Sequence, residues 1–196
     1  QAMTGRGSLP IVRVSWNEPV PIMRVLDAGA MGIVVPMVNS VEEAERAVGA
    51  SKYAPVGFRS YGGSRLTPYV GDYFTWANEE TLVVVMIETV QAVERAEEIL
   101  SVPGVDACLI GPADLGASLG FHPAERTQHP EHEEAVQKVL AAAKKVGTPA
   151  GYVCPNAQEV RERAAQGFQF MSCGGDTGYM MAGANAEYAK IADLLK

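Results

Sequence analysis

The sequence predicts an α/β protein of the (β/α)8 TIM-barrel class, with the first two β/α units absent from this chain. Two patterns lead to this prediction. Six short runs of β-branched and apolar residues alternate with longer segments of helical period, which is typical of β-α-β units around a parallel sheet. Most of the runs are apolar nearly throughout instead of alternating, so we expect both faces of the sheet to be covered.

The predicted strands span residues 10–14, 32–38, 82–88, 107–111, 150–154 and 168–173. An eight-unit barrel has about 250 residues, and six units in 196 residues fall two short. An open sheet of Rossmann order is the alternative, but no glycine fingerprint follows the first strand. We therefore expect one domain over residues 1–196 that is incomplete at the N-terminal side of the barrel.

Helix start and stop signals lie between these runs. Ser40 and Glu43 form a capping box that opens a helix through Ala50, and Gly29 ends the helical segment 22–26. Further helices are predicted from His129-Pro130 to Gly147, from Asn156 to Gly167 and from Asp176 to Leu195. The segment 53–78 is rich in Gly, Pro, Arg and Tyr and is too long for an ordinary connection, so it is a candidate lid or intersubunit loop.

Composition excludes several classes of function. The 16 basic and 23 acidic residues give a net charge of −7 without any Lys/Arg block, so neither nucleic acid nor an anionic membrane surface is an expected partner. The apolar runs fall short of the roughly 20 residues that span a bilayer. Cys108, Cys154 and Cys173 show no CxxC spacing and lie in predicted strands, which favours reduced core thiols in a cytoplasmic protein.

Two carboxylates end two consecutive predicted strands. Glu88 follows the apolar run that begins at Leu82, and Asp114 follows the next run and a Gly-Pro-Ala turn. Neighbouring strands lie about 4.8 Å apart, so carboxylates at equal height can reach one cation, and hard oxygen ligands suit Mg²⁺ or Mn²⁺. The alternative is that each carboxylate caps the following helix. The apolar surroundings favour the metal site, because an uncompensated buried carboxylate is unfavourable.

Other polar residues are candidates for binding an anion. Arg13 lies inside the first apolar run, where we expect a buried guanidinium that binds an oxyanion or forms a structural salt bridge. Ala113 and Asp114 open a helical turn, so their amides can hold a substrate carboxylate. Arg59 and Arg65 attract an anionic substrate tail or belong to an ordinary surface loop.

Three histidines, His122, His129 and His132, fall in one polar stretch. We interpret this stretch as a solvated loop and helix start, because it has no apolar support that would fix metal ligands.

The chain resembles the class II, metal-dependent pyruvate aldolases and the related sugar-acid aldolases. The most specific match is Ile-Gly-Pro-Ala-Asp-Leu at 110–115, which follows Ile-Glu-Thr at 87–89. Weaker matches at 12–17, 26–30, 35–38, 57–60 and 104–106 extend the resemblance over nearly the whole chain in order.

The resemblance implies a barrel of the phosphoenolpyruvate/pyruvate type that cleaves a 4-hydroxy-2-oxoacid reversibly into pyruvate and an aldehyde. It implies that Glu88 and Asp114 bind a divalent ion such as Mg²⁺, Mn²⁺ or Co²⁺. The amides of Ala113 and Asp114 would hold the pyruvate carboxylate, Arg13 would stabilise the enolate, and Val153 would line the pocket. The family also forms hexamers of dimers that exchange C-terminal helices, so a homo-oligomer is expected.

Three positions depart from this pattern or fit it poorly. Met86 stands where a branch of the family has a pocket glutamine. The family's general base is a histidine that would lie upstream of Gln1. Asp27 matches an aspartate that raises the basicity of that histidine, but Asp27 ends a predicted helix, which normally lies at the end of the barrel opposite the chemistry.

Three hypotheses follow. The first is a divalent-metal lyase of the aldolase kind, with oxaloacetate decarboxylation as a side activity through the same enolate. The second is a citryl-CoA or malyl-CoA lyase-like enzyme. Such an enzyme should need basic residues for the CoA phosphates, and the sequence offers few beyond Arg59, Arg65, Lys144 and Lys145. The third is a non-catalytic, truncated barrel subunit.

Overall fold

The computed structural model describes residue 3 and residues 7–62 and 71–195. Its centre is a curled sheet of six parallel strands in the order β1-β2-β3-β4-β5-β6. The strands are β1 (Ile11–Arg13), β2 (Gly32–Val35), β3 (Leu82–Ile87), β4 (Ala107–Ile110), β5 (Ala150–Cys154) and β6 (Phe170–Cys173). The six predicted strands are confirmed. The sequential order is that of a barrel wall, so the alternative of a Rossmann sheet is wrong.

Helices follow the strands, and residues of several of them pack on the outer face of the sheet. They are α1 (Pro19–Asp27), α2 (Val41–Ser51), α3 (Tyr73–Glu80), α4 (Val90–Glu94), α5 (Ala96–Leu100), α6 (Pro112–Ser118), α7 (Pro130–Val146), α8 (Ala157–Gln166) and α9 (Asp176–Ala189). Short 3₁₀ helices span Pro123–Gln128 and Ala192–Leu195. Among the helices of the described residues, none combines the length and the apolar character needed to cross a bilayer.

Helix ends confirm the predicted caps. Ser40 Oγ accepts a hydrogen bond from the Glu43 amide at 3.2 Å, and Asn156 Oδ1 accepts one from the Glu159 amide at 3.0 Å. Gly147 and Gly167 end α7 and α8 with φ values of 80° and 107°, which glycine adopts without the penalty that a Cβ brings.

The two faces of the sheet bury different sets of side chains. The outer face, which includes Ile33, Val85 and Ile110, packs against helix residues such as Leu26 and Leu140 in the main core. The inner face carries a smaller cluster made of Val34, Val84, Met86, Ala107 and Leu109, with Leu82, Val153 and Phe170 partly buried beside it. Both faces are therefore apolar, as the continuous apolar runs predict.

The long segment 53–78, which the sequence predicts to be a lid or an intersubunit loop, contains a helix in its described part. Its last part forms α3, and Tyr53, Tyr73 and Ala77 form a small apolar cluster of their own. Positions 63–70, which include Arg65, lie outside the described residues. The aromatic side chains supply enough local burial to fold this part of the segment.

The cysteines correct one expectation. Cys108 and Cys154 are buried and free, as predicted, but Cys173 is exposed. Cys173 is the last residue of β6, and it remains exposed although the Tyr179 hydroxyl of α9 donates a hydrogen bond to its carbonyl oxygen. No side chain of α9 is buried, and Tyr179, Met180, Met181 and Tyr188 are each at least half exposed.

Candidate metal centre

The carboxyl ends of β3 and β4 bring the two predicted metal ligands to the same edge of the sheet. Ile87 pairs with Ile110, so the residues that follow them, Glu88 and Gly111, lie at the same height. Three residues after Gly111, Asp114 lies in the first turn of α6. Both carboxylates therefore follow the carboxyl ends of neighbouring strands, the position that the sequence predicts for them.

Glu88 is 1% exposed although it carries a carboxylate. Its Oε1 accepts a hydrogen bond from the Met37 amide at 2.8 Å, while its Oε2 is buried and has no hydrogen-bond partner among the described residues. Burial raises the pKa of Glu88 and the charge of Asp114 adds to the rise, whereas the Met37 amide and Arg13 act in the opposite direction. Such an oxygen is unfavourable unless a cation or a proton compensates it.

Glu88 does not cap the following helix. The N-cap of α4 is Thr89, whose Oγ1 accepts the Ala92 amide at 3.0 Å. The alternative role that the sequence left open for Glu88 is therefore filled by its neighbour. The free Oε2 remains available as a ligand.

Gly111 provides the space that the Glu88 carboxylate occupies. A Cβ at this position would overlap Glu88 Oε2 and would lie 3.0 Å from Met86 Cε. In the sequence, Gly111 appears only as part of a turn, and this role is not predicted. A glycine directly after a buried strand, beside a strand that ends in a carboxylate, is the signal that points to it.

Asp114 and Ala113 lie in the first turn of α6 and are both exposed. The amides of a first helical turn have no acceptor within the helix, so they can bind an anion. His132 supports this turn from beneath. Its Nε2 lies 2.9 Å from the carbonyl oxygen of Pro112, the first residue of α6.

The burial of His132 corrects the prediction of a solvated stretch. His132 is 3% exposed, and burial lowers the pKa of its imidazole. His129 stacks on Phe121 with 3.6 Å between ring centroids. Within the described ranges, no group of three or more His, Cys, Asp or Glu side chains is arranged to hold a metal ion.

Arg13 faces the inside of the sheet, because its register partner Val34 belongs to the inner cluster. The expectation that its guanidinium is buried is wrong, since Arg13 is exposed. In the described part of the chain β1 pairs with β2 alone, so Arg13 lies on a strand at the edge of the sheet. The charge of Arg13 nevertheless acts on Glu88, where it offsets part of the rise in pKa that burial causes.

Met86 and Val153 also lie on the inner face. Met86 is 4% exposed, and Val153 is half-buried. The structure thus brings Arg13, Met86, Val153 and the Glu88–Asp114 pair to one concave region of the sheet.

Asp27 is the predicted site residue that the structure places elsewhere. It is the last residue of α1, which runs back towards the amino end of β2, away from Glu88. Its carboxylate forms an ion pair with Arg59 at 2.6 Å. Arg59 is 3% exposed and lies over the Tyr53 ring, so Arg59 belongs to a buried pair and not to a surface loop.

Comparison with known proteins identifies the family. Residues 1–182 match the sequence model of the HpcH/HpaI aldolase/citrate lyase family. A 4-hydroxy-2-oxo-heptane-1,7-dioate aldolase from Shigella flexneri is 36% identical over 197 residues, which cover 98% of this chain and 73% of that protein.

Solved structures agree with this match. The crystal structure of an HpcH/HpaI aldolase from Desulfitobacterium hafniense DCB-2 superimposes with a TM-score of 0.89 and 31% identity, over 97% of this chain and 74% of that one. The citrate lyase beta subunit from M. tuberculosis, complexed with oxaloacetate and magnesium, has a TM-score of 0.56 and 20% identity over 86% and 68% of the two chains, a likeness of fold alone. The chain belongs to the HpcH/HpaI aldolase/citrate lyase family, and the resemblance that its motifs carry is confirmed.

Proposed function

We propose that the protein is a divalent-metal-dependent lyase that cleaves a 4-hydroxy-2-oxoacid reversibly into pyruvate and an aldehyde, through the enolate of pyruvate. The observation that carries the proposal is the buried Glu88 Oε2, which has no hydrogen-bond partner in the described part of the chain and belongs to a carboxylate whose pKa the charge of Asp114 raises. A buried carboxylate whose pKa is raised by burial and by a neighbouring carboxylate forms a natural cation site. The aldolase name of the Shigella flexneri relative supports the choice of reaction over a CoA-thioester lyase.

The residues fit a hard cation. Glu88 and Asp114 would hold Mg²⁺, Mn²⁺ or Co²⁺ through oxygen atoms, and two protein ligands leave positions for substrate and water. When bound, the cation supplies positive charge that stabilises the negative oxygen of the enolate.

The other groups act on the substrate. The amides of Ala113 and Asp114 would hold the pyruvate carboxylate at the start of α6. Arg13 would donate to the oxygen on which charge develops as the carbon–carbon bond breaks. Met86 and Val153 would form the apolar wall of the pocket. A catalytic role for Asp27 remains a prediction, which its ion pair with Arg59 does not favour.

The test is a coupled assay in which pyruvate released from a 4-hydroxy-2-oxoacid is reduced by lactate dehydrogenase. We expect activity to require Mg²⁺, Mn²⁺ or Co²⁺ and to disappear with a chelator. Glu88→Gln and Asp114→Asn should each lower kcat/KM by roughly 100-fold or more, because charge stabilisation in the transition state is lost. Glu97→Gln, which changes an exposed helical glutamate, is the control. Metal-dependent turnover that survives Glu88→Gln would overturn the proposal.

The fold and assembly extend the proposal. The curled six-stranded sheet would form part of an eight-stranded (β/α)8 barrel, which is supported by the 73% coverage of the relative's length. The exposed apolar side chains of α9, among them Met180 and Met181, support a homo-oligomer in which this helix packs on another copy, up to the hexamer of the family. Sedimentation velocity with the double variant Met180→Glu/Met181→Glu tests this, and an unchanged mass would contradict it.

The three free cysteines support a reducing compartment such as the cytoplasm.

A further inference from the structure

A closed ring of hydrogen bonds joins the loop after β2 to the loop after β3. The Met37 amide donates to Glu88 Oε1 at 2.8 Å, and Asn39 Nδ2 donates to the Met37 carbonyl oxygen at 2.8 Å. Thr89 Oγ1 donates to Asn39 Oδ1, and Thr89 follows Glu88 in the chain. Met37, Asn39, Glu88 and Thr89 are here called the carboxylate ring.

Met37 has a backbone conformation that needs external support. Its φ is 57°, which makes it the non-glycine residue with positive φ in the described part of the chain. A left-handed conformation is unfavourable by roughly 1–2 kcal/mol for a residue with a side chain. The amide of Met37 donates to Glu88 Oε1, so whatever maintains the conformation of Met37 also helps to maintain the position of Oε1.

Asn39 is the residue that maintains it. Its side chain binds the Met37 carbonyl on one side and the Thr89 hydroxyl on the other, and its amide donates to Glu43 Oε2 at 2.6 Å. Glu43 belongs to α2, and Thr89 caps α4. Asn39 is thus hydrogen-bonded to residues of two helices, and its bond to the Met37 carbonyl holds Met37 in place relative to them.

We propose that Asn39 is a positioning residue for the metal site: through Met37 it fixes Oε1 of Glu88, so that the free Oε2 is directed at the cation. The inference rests on the proposed function, since it assigns Glu88 the role of ligand. Outer-shell partners of this kind orient a ligand without contacting the metal.

Binding of Mn²⁺ alone to the full-length protein tests the proposal, followed by the electron paramagnetic resonance signal of the free ion. Asn39→Ala should weaken Mn²⁺ binding about tenfold, the lower end of the range for outer-shell partners. Asn156→Ala is the matched control, because Asn156 caps α8 through the Glu159 amide and lies outside the carboxylate ring. Its affinity for Mn²⁺ should equal that of the wild-type protein.

A second substitution separates positioning from simple support of the fold. Glycine adopts positive φ without the penalty of a Cβ, so Met37→Gly in the Asn39→Ala background should recover part of the lost affinity. A lower melting temperature with unchanged Mn²⁺ affinity in Asn39→Ala would overturn the proposal. An affinity that is lost but not recovered in the double variant would also overturn it.

Thr89 provides an independent pair of variants if Asn39→Ala does not fold. Thr89→Val keeps the shape without the hydroxyl and should weaken Mn²⁺ binding, whereas Thr89→Ser keeps the hydroxyl and should bind as the wild type does. Equal affinities in the two variants would refute the role of the ring. Glu88→Gln distinguishes the proposed cation site from the positioning role of Asn39. Unchanged Mn²⁺ binding in Glu88→Gln would refute the cation site itself. Binding that is lost in Glu88→Gln but kept in Asn39→Ala would refute only the positioning role.

Discussion

Replacing Gly111 by alanine tests how closely the fold is fitted around the Glu88 carboxylate. Gly111 has φ −93° and ψ 94°, a conformation close to the β region and open to alanine, so backbone strain does not enter. The added methyl group would overlap Glu88 Oε2 and would lie 3.0 Å from Met86 Cε. Because Glu88 is 1% exposed, its carboxylate can move only by leaving the Met37 amide.

The magnitude follows from that hydrogen bond, which is 2.8 Å long. A hydrogen bond to a charged group contributes about 1.5–3 kcal/mol, and each 1.4 kcal/mol changes an equilibrium constant about tenfold. Gly111→Ala should therefore weaken binding of a divalent cation about 10- to 150-fold. Overpacking should also lower the free energy of unfolding by about 1–3 kcal/mol.

Calorimetric titration with Mn²⁺ measures the affinity, and urea unfolding measures the stability. Gly116→Ala, in α6, is the control. A Cβ there would lie 3.7 Å from Arg126 Cβ and 3.8 Å from His132 Cδ2, which are ordinary contacts. This substitution should stabilise the protein by about 0.5–1 kcal/mol and leave the affinity unchanged. A folded Gly111→Ala variant that binds Mn²⁺ within about twofold of the wild type would refute the reasoning.

Burial raises the pKa of Glu88, so a proton should compete with the cation at a higher pH than it would at an exposed glutamate. Cation affinity should therefore fall as the pH falls through this raised pKa, which cation titrations at several pH values measure. In the metal-free protein, a raised folded-state pKa means that protonation of Glu88 stabilises the fold and ionisation destabilises it. Glu88→Gln should therefore raise the melting temperature of the metal-free protein at neutral pH, and the difference should shrink as the pH falls. Arg13→Ala should lower kcat about 100-fold in the coupled assay, but it should change the free energy of unfolding by less than about 0.5 kcal/mol because Arg13 is exposed. Lys52→Met should lower the free energy of unfolding by about 2–4 kcal/mol, because the buried ammonium donates to the carbonyls of Asn78 and Thr81 at 2.8 and 2.7 Å; an unchanged urea midpoint would contradict this.

Features that depend on neighbouring residues could be predicted from the sequence. The strands appear as apolar runs, and Ser40 and Asn156 begin helices by binding amides three residues further on. The place of Glu88 at the end of a strand follows from the same local pattern, as does that of Asp114 after the next strand. These two positions can be predicted because the carboxyl ends of parallel strands lie at the same edge of the sheet.

Features that depend on distant residues could not be predicted. The pair of Asp27 and Arg59 joins positions 32 residues apart, and neither residue carries a local signal of its partner. The positive φ of Met37 could not be predicted, because methionine rarely adopts this conformation and nothing in the sequence signals it. The exposure of Arg13 depends on the neighbours of β1 in the sheet, which an apolar run does not specify.

The unburied α9 has a consequence for how this part of the chain folds. It is 14 residues long and buries none of them, and an isolated helix shorter than about 12–15 residues is only marginally stable in water. Most helical stability in proteins comes from packing of an apolar face, so the helicity of α9 would depend on the proposed contact with another copy of the chain. On dilution, therefore, we expect the carboxyl-terminal helix to melt while the sheet remains folded, as a loss of helical circular dichroism without a change in the burial of Tyr152.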